Sequence, residues 1–321
     1  MSNKKKILII QNIHEAGIKL LEDNPNFEFE LIENIDLKFL KEKISNFDGI
    51  SIRTAKLPAE IINHCKKLKI ISRHGVGYDN IDLKSAKNNN ITITITTTAN
   101  AVAVSEHVMF MLLNIAKGKS MYDITVKSGN FNERNKLPKT IEIWKKNILI
   151  MGFGRIGQCL IKRCLGFDMN VFVYDPYVTK EVIESFGGKK VNDLYESIKS
   201  MDAISLHIPL NDKTKNLINY ELLKTLKKSC IIINAARGGI INENDLNKAL
   251  SENLIYGAGL DVFEMEPPSK DSPLLKNDKL FLSPHTAAFT EECMTRMAVE
   301  TIQNIIDFFD KKLDKSKIVK L

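Results

Sequence analysis

A chain of 321 residues, 44% apolar and 26% charged, has room for about two domains that each bury a core, and this composition excludes wholesale disorder. The net charge of +7 is spread over lysine-rich helices, without the basic stripe or aromatic interleaving of a nucleic-acid binder. Five scattered cysteines with no C-x-x-C pair exclude a disulfide scaffold and a thiolate metal site, and read as reduced thiols in a cytoplasmic protein.

Lys4, Lys5 and Lys6 precede only the apolar run 7–10, too short for a signal-peptide core, so that run is a first strand. Helical spacing over 14–21, a strand at 27–32, a helix at 37–44, a strand at 49–53 and a helix at 59–65 follow. Residues 70–72 form a strand that runs into Arg73-His74-Gly75-Val76-Gly77. Gly75 and Gly77 let backbone amides approach a ligand at the carboxyl end of the strand. The alternation predicts a parallel sheet with helices on both faces. After a strand at 91–95, the polar stretch 96–100 reads as a crossing into a helix at 101–117, closed by Gly118. That helix is apolar on most faces, which predicts burial between domains, between subunits or both. Ser105, Glu106 and His107 within it argue against a membrane span.

Residues 147–175 organise the rest. An apolar run at 148–151 marks a strand buried on both faces, and Gly152, Gly154 and Gly157 supply a G-x-G-x-x-G spacing behind it. Such glycines allow a tight turn, close approach of a pyrophosphate, and packing of helix on strand. The helix that begins there presents unpaired N–H groups and its positive dipole end to phosphates. A second strand at 171–174 ends in Asp175, about 18 residues beyond the last glycine, where a carboxylate accepts a ribose diol and repels a 2′-phosphate. Strand, helix, second strand and terminal Asp in this order predict NAD binding.

Further strands are expected at 203–208, 230–234, 257–262 and 280–283. The final helix, 291–310, has one apolar face and is expected to return to the first module. The domains predicted are therefore 1–98 plus 290–321 for substrate and 99–289 for NAD, with no room for an appended regulatory domain after His285.

At this point the motifs resemble those of the NAD-dependent D-2-hydroxyacid dehydrogenases. The matching blocks are Gly152–Gly157 with Asp175, Asn-Ala-Ala-Arg-Gly-Gly at 234–239, Gly-Leu-Asp-Val-Phe-Glu-Met-Glu-Pro-Pro at 259–268 and Ser-Pro-His at 283–285. Residues 73–82 and 99–107 match the N-terminal signatures, and the likeness is greatest to short phosphoglycerate dehydrogenases. The resemblance implies two doubly wound α/β domains, a Rossmann domain inserted into a flavodoxin-like one. It implies that Arg237 binds and polarises substrate, that His285 is the acid/base and that Glu266 is the carboxylate partner of His285. It further places Arg155 and Ile156 at the pyrophosphate and Ile208 and Pro209 beside the adenosine. Ala235, Ala236, Asp261 and Ala288 fall near the nicotinamide end, with Val76 and Gly77 presenting amides to the substrate carboxylate. Val76 and Ile208 stand where phosphoglycerate dehydrogenases often carry a hydroxyl, and Thr286-Ala287-Ala288 replaces a glycine-containing turn.

The chemistry asks for the same residue types. Oxidising a 2-hydroxy acid needs a base for the hydroxyl proton while hydride leaves the same carbon, and histidine titrates in the range that serves both directions. A guanidinium holds a carboxylate in a planar fork, which lysine does poorly. The other histidines, 14, 64, 74, 107 and 207, read as packing or surface residues. By resemblance, Arg53 and Arg73 face a substrate phosphate and Arg134 reaches the site from a neighbouring subunit. These arginines favour D-3-phosphoglycerate, hence a step of serine biosynthesis, over hydroxypyruvate, glyoxylate or another D-2-hydroxy acid. Formate dehydrogenase, which needs no acid/base pair, and a nucleotide-sensing corepressor are the readings of other kinds. A homodimer through the 101–117 helix is expected.

Overall fold

The structure, a computed structural model, describes residues 4–320 and divides into two compact units. One comprises Met1–Asn100 with Phe289–Leu321, the other Ala101–Ala288.

In the first unit Ile7, Leu8, Ile9 and Ile10 are fully buried, as an uninterrupted apolar run requires of an interior strand covered on both faces. They belong to β1 (Lys5–Ile10), which pairs in parallel with β2 (Phe27–Ile32) and β3 (Gly49–Ile52), Ile7 lying between Phe29 and Gly49. With β4 (Ile70–Arg73) and β5 (Thr92–Ile95), the sheet order is β2-β1-β3-β4-β5. This is the doubly wound flavodoxin-like order. The edge strand β2 alternates polar and apolar residues, since it is less enclosed than its neighbour. The helix Glu291–Phe309 belongs to this unit although it lies far along the chain. Thr290 caps it through the Cys293 amide, and its Ala298, Ile302 and Ile305 close a core with Ile7, Ile9, Leu21 and Ile70.

The second unit holds seven parallel strands: β6 (Asn147–Met151), β7 (Asn170–Tyr174), β8 (Lys189–Lys190), β9 (Ala203–Leu206), β10 (Ile231–Asn234), β11 (Gly257–Leu260) and β12 (Leu280–Leu282). Their order is β12-β11-β10-β9-β6-β7-β8, so the strand sequence reverses beside β6, the place where such sheets open a crevice at their carboxyl ends. The helix Ala101–Lys117 covers β10 to β12 and packs on the helix Arg155–Gly166, burying Val108, Met111, Leu112 and Ala116. Val102 and Phe110 on the same helix stay exposed.

Four strands stop earlier than the apolar patterns suggest. Pairing ends at Ile52, Leu206, Leu260 and Leu282, leaving Arg53, His207, Asp261 and Ser283 in loops at the carboxyl edges. The helix Lys119–Lys127 and the 3-10 turn Phe131–Lys136, which carries the exposed Arg134, had no signal in the apolar periodicity. No helix among the described residues is long and apolar enough to cross a membrane.

Candidate active site

The glycine turn after β6 is shaped by two different needs. Gly152 has a left-handed φ of 96°, and a β-carbon there would lie 2.5 Å from the His207 carbonyl oxygen. Backbone conformation and crowding therefore both demand glycine. Gly154 has an ordinary φ of −71°, and a β-carbon there would meet no heavy atom within 4 Å. Neither backbone conformation nor crowding requires glycine at that position, and the ground beside it is open. The helix Arg155–Gly166 starts immediately after it with no side-chain cap, leaving its first amides directed at the same space. An anionic diphosphate fits this cradle.

Asp175 ends β7 and holds the turn in place. One carboxylate oxygen accepts from the Phe153 amide at 2.8 Å, the other from the amides of Tyr177 at 2.8 Å and Val178 at 3.2 Å. A carboxylate offers about four acceptor positions, so capacity for one more donor is left. This second, structural duty of Asp175 has no trace in the local sequence pattern.

At the other strand ends a charged group is assembled. Asn234, at the end of β10, is buried and bridges its loop, accepting from the Ala236 amide at 3.0 Å and donating to the Arg237 carbonyl at 2.8 Å. Arg237 is half-buried and donates to the Ala236 carbonyl at 2.7 Å. The following Gly238 lies so close to the Phe263 carbonyl that any side chain would collide with it. This contact brings the arginine loop against the loop that carries Glu266. The Glu266 carboxylate accepts from the Phe263 amide at 3.1 Å and meets His285 Nδ1 at 2.7 Å. Burial works to raise the Glu266 carboxyl, but the His285 hydrogen bond and charge, the Phe263 amide and Arg237 together hold it below its ordinary value. As an ionised carboxylate it only accepts, so His285 Nδ1 carries the proton and Nε2 is left as the working nitrogen. His285 itself has a left-handed φ of 54°, a conformation that costs a non-glycine residue about 1 kcal/mol or more. A cavity of about 430 Å³ adjoins the pair, lined mainly by Phe263, Pro267, Leu275, Leu282 and Pro284.

Asp261 follows β11 and is buried. Its carboxylate accepts from the amides of Thr286 and Ala287 and from the Ser283 hydroxyl, so it organises the loop on either side of His285. Ile208 and Pro209 follow β9, Ile208 packing on the core below, and Ala235 and Ala236 follow β10. Ala288 is the last residue of this unit.

The remaining candidates, Arg53, Arg73, Gly75, Val76 and Gly77, belong to the first unit, at the carboxyl ends of β3 and β4. Arg53 donates to the Asn12 carbonyl at 3.0 Å and lies over the Phe289 ring, while Arg73 donates to the His74 carbonyl. Gly75 has a φ of 136°, and Val76 is exposed. Next to Arg73 comes His74, whose burial, aided by the charges of Arg53 and Arg73, pushes its imidazole down to about 3. Arg134, in the second unit, stacks over Phe131. His107, which the sequence left among packing or surface residues, is hydrogen-bonded to Ser283 at 2.9 Å. His207 Nε2 meets Ser205 Oγ at 2.8 Å. Only the fold could find the His107 contact, because Ser283 lies 176 residues away.

The family model for the D-isomer specific 2-hydroxyacid dehydrogenase NAD binding domain matches residues 109–287. The D-3-phosphoglycerate dehydrogenase of Methanocaldococcus jannaschii is 41% identical over 288 residues, covering 89% of this chain and 54% of that protein. The glyoxylate reductase of Pyrococcus horikoshii is 35% identical over 314 residues, covering 95% of this chain and 93% of that protein. The crystal structure of D-lactate dehydrogenase from Aquifex aeolicus, complexed with NAD and lactic acid, matches with a TM-score of 0.87 at 27% identity over 98% of each chain. The chain spans about half the length of the curated phosphoglycerate dehydrogenases it matches.

Proposed function

The chain belongs to the D-isomer specific 2-hydroxyacid dehydrogenase family, and on that premise we propose that it interconverts a D-2-hydroxy acid and its 2-keto acid with NAD, D-3-phosphoglycerate being the substrate. The observation that carries the reading is the 2.7 Å contact of His285 with Glu266 in the unit that also holds the glycine turn and Arg237.

Bound NAD supplies the hydride acceptor, and its diphosphate would be held by Gly152 to Gly157 with the first amides of the helix Arg155–Gly166. His285 Nε2 takes the hydroxyl proton as the C2 hydrogen departs with its electron pair, leaving the ketone. Glu266 fixes the ring through Nδ1 and stabilises the imidazolium that forms. Arg237 grips the α-carboxylate and polarises the C2 oxygen. In the reductive direction the imidazolium returns its proton to the developing alkoxide.

Arg53 and Arg73, at neighbouring strand ends of the first sheet, support a dianionic substrate, because one carboxylate does not call for further cations. Such a substrate places the protein in serine biosynthesis. A glyoxylate or hydroxypyruvate reductase is the second reading, favoured by the nearly full-length match to a glyoxylate reductase. Steady-state kinetics on phosphoglycerate, hydroxypyruvate, glyoxylate and D-lactate, with NAD and NADP, separate the two. We expect phosphoglycerate with NAD to be preferred, and Arg53→Ala to raise its KM at least tenfold. Preference for an unphosphorylated acid, indifferent to Arg53→Ala, would sink the phosphate assignment, and equal use of NADP would sink the role of Asp175. Five free thiols suit a reducing cytoplasm. A homodimer is expected, the exposed Val102 and Phe110 on the helix Ala101–Lys117 supporting it; sedimentation as a monomer at micromolar concentration would contradict this.

A further inference from the structure

The loop that carries His285 is held from beneath by a hydrogen-bonded chain that begins on another element. The Asp261 carboxylate accepts from the Thr286 amide at 2.8 Å, the Ala287 amide at 3.0 Å and the Ser283 hydroxyl at 2.6 Å. Asp261 and Ser283 are buried, and the three contacts fix the chain on both sides of a histidine whose backbone is in the left-handed region. Ser283 has a single hydrogen to donate, and as a carboxylate Asp261 can only accept. The Ser283 oxygen therefore accepts from His107 Nε2 at 2.9 Å, which sets the His107 tautomer.

His107 is itself well placed to act as an anchor. It lies within the helix Ala101–Lys117, its ring 5.7 Å from that of Phe110, and Phe110 packs edge-on against Phe281 of β12. One turn of that helix is tied to the neighbouring helix by Glu106 and Arg163 at 2.7 Å. Burial lowers the His107 imidazole, with Asp261 opposing, so the ring is neutral at pH 7 and brings a directional donor rather than a charge. Loss of the His107 donor would leave Ser283 free to turn, and loss of the Ser283 hydroxyl would leave one Asp261 oxygen with the Thr286 amide and the more distant His107 Nε2, 3.6 Å away.

We propose that His107 and Ser283 are positioning residues for the reaction, a brace from the helix Ala101–Lys117 through Asp261 that sets the His285 loop against Glu266. Both reach the His285 loop through Asp261. The inference deepens the dehydrogenase reading and rests on it.

The test compares His107→Leu, His107→Gln, Ser283→Ala and the double variant His107→Leu/Ser283→Ala in the full chain. The Gln side chain reaches as far as Nε2 and keeps an N–H donor; the Leu side chain does not. His107→Leu and Ser283→Ala are each expected to lower kcat about tenfold, with NADH affinity by fluorescence titration changed less than about twofold. The double variant falls by less than the product of the two single losses, because both side chains act on the one Asp261 carboxylate, and His107→Gln retains kcat within about twofold of the unaltered protein. The His285 ring resonances, assigned by their loss in His285→Ala, shift in Ser283→Ala and His107→Leu and return in His107→Gln. Unchanged kcat in both single variants overturns the brace, and so does a His107→Gln variant as impaired as His107→Leu. If the unaltered protein turns over none of the four acids, the dehydrogenase reading fails. The His285 resonances still decide the brace, which is overturned if they do not move.

Discussion

Both units place a Gly-x-Gly turn at the carboxyl end of a parallel strand, Gly75-Val76-Gly77 after β4 and Gly152-Phe153-Gly154 after β6, yet the glycines are there for different reasons. Gly75 has a φ of 136°, which strains any residue with a β-carbon, and the Arg73 guanidinium occupies the place such a carbon would take. Gly154 has an unremarkable backbone and empty surroundings. Gly152 is like Gly75, required by its own backbone; at Gly154 the chain withholds a side chain it could have accommodated. The geometry around a missing β-carbon thus separates a glycine that the fold requires from one that it does not.

The strongest test of the contrast bears on the second unit's strand ends as a place of chemistry. His285→Ala should lower kcat by about a thousandfold, the order expected when a positioned acid/base is lost. A loss under about tenfold in single-turnover measurements would make the Glu266–His285 pair a packing feature, and the two units would then differ less than proposed. The sharper test pairs the glycines. Gly154→Ala should weaken NADH binding tenfold or more while leaving the unfolding free energy within about 0.5 kcal/mol, since the new methyl meets no protein atom. Gly75→Ala should instead lower stability by about 1–3 kcal/mol. Denaturant titrations of both variants beside NADH fluorescence would read the two effects separately, and equal stability losses would erase the distinction.

These distinctions were only partly legible in the sequence. The apolar runs at 7–10 and 148–151 announce buried parallel strands because nothing but burial on both faces explains them. The glycine spacing with Asp175 could be read from the local chain, whereas the Arg237, Glu266 and His285 blocks were read by resemblance, and the contact of Glu266 with His285 depends on segments that the fold brings together. Asp261 is different. Its grip on Thr286 and Ala287 depends on β11 and β12 being neighbours, which is a property of the sheet and not of either segment. His107 depends on a helix crossing the same strands, so its pattern alone suggests packing. The polar helix Lys119–Lys127 escaped because an exposed helix leaves little apolar rhythm.

The smallest effect is expected from pH, and it concerns the first unit. His74 is buried and held at about 3, whereas the unfolded chain binds that proton near the ordinary value of 6.5. The unfolded state therefore takes up the proton first as pH falls. Stability is fully present above about 6.5 and declines as pH drops toward about 3. His74→Asn should flatten that slope in urea titrations between pH 6.5 and 5 without changing NADH binding. An unchanged slope would mean that other groups govern the acid sensitivity of this unit.

The helix Glu291–Phe309 gives the chain a particular order of events during synthesis. Ile7, Ile9 and Ile70 are made early, but the face they share with this helix cannot close until about 230 residues beyond Ile70 have emerged, at Ala298 and after. Closing so long a loop is entropically harder than closing a short one, by about 0.6 kcal/mol for each doubling of length, unless the intervening stretch has already become compact. The second unit, continuous in sequence, can fold first and shorten that path. Until it does, the nascent first sheet carries an uncovered isoleucine face, the surface on which a chaperone would act and at which aggregation would begin.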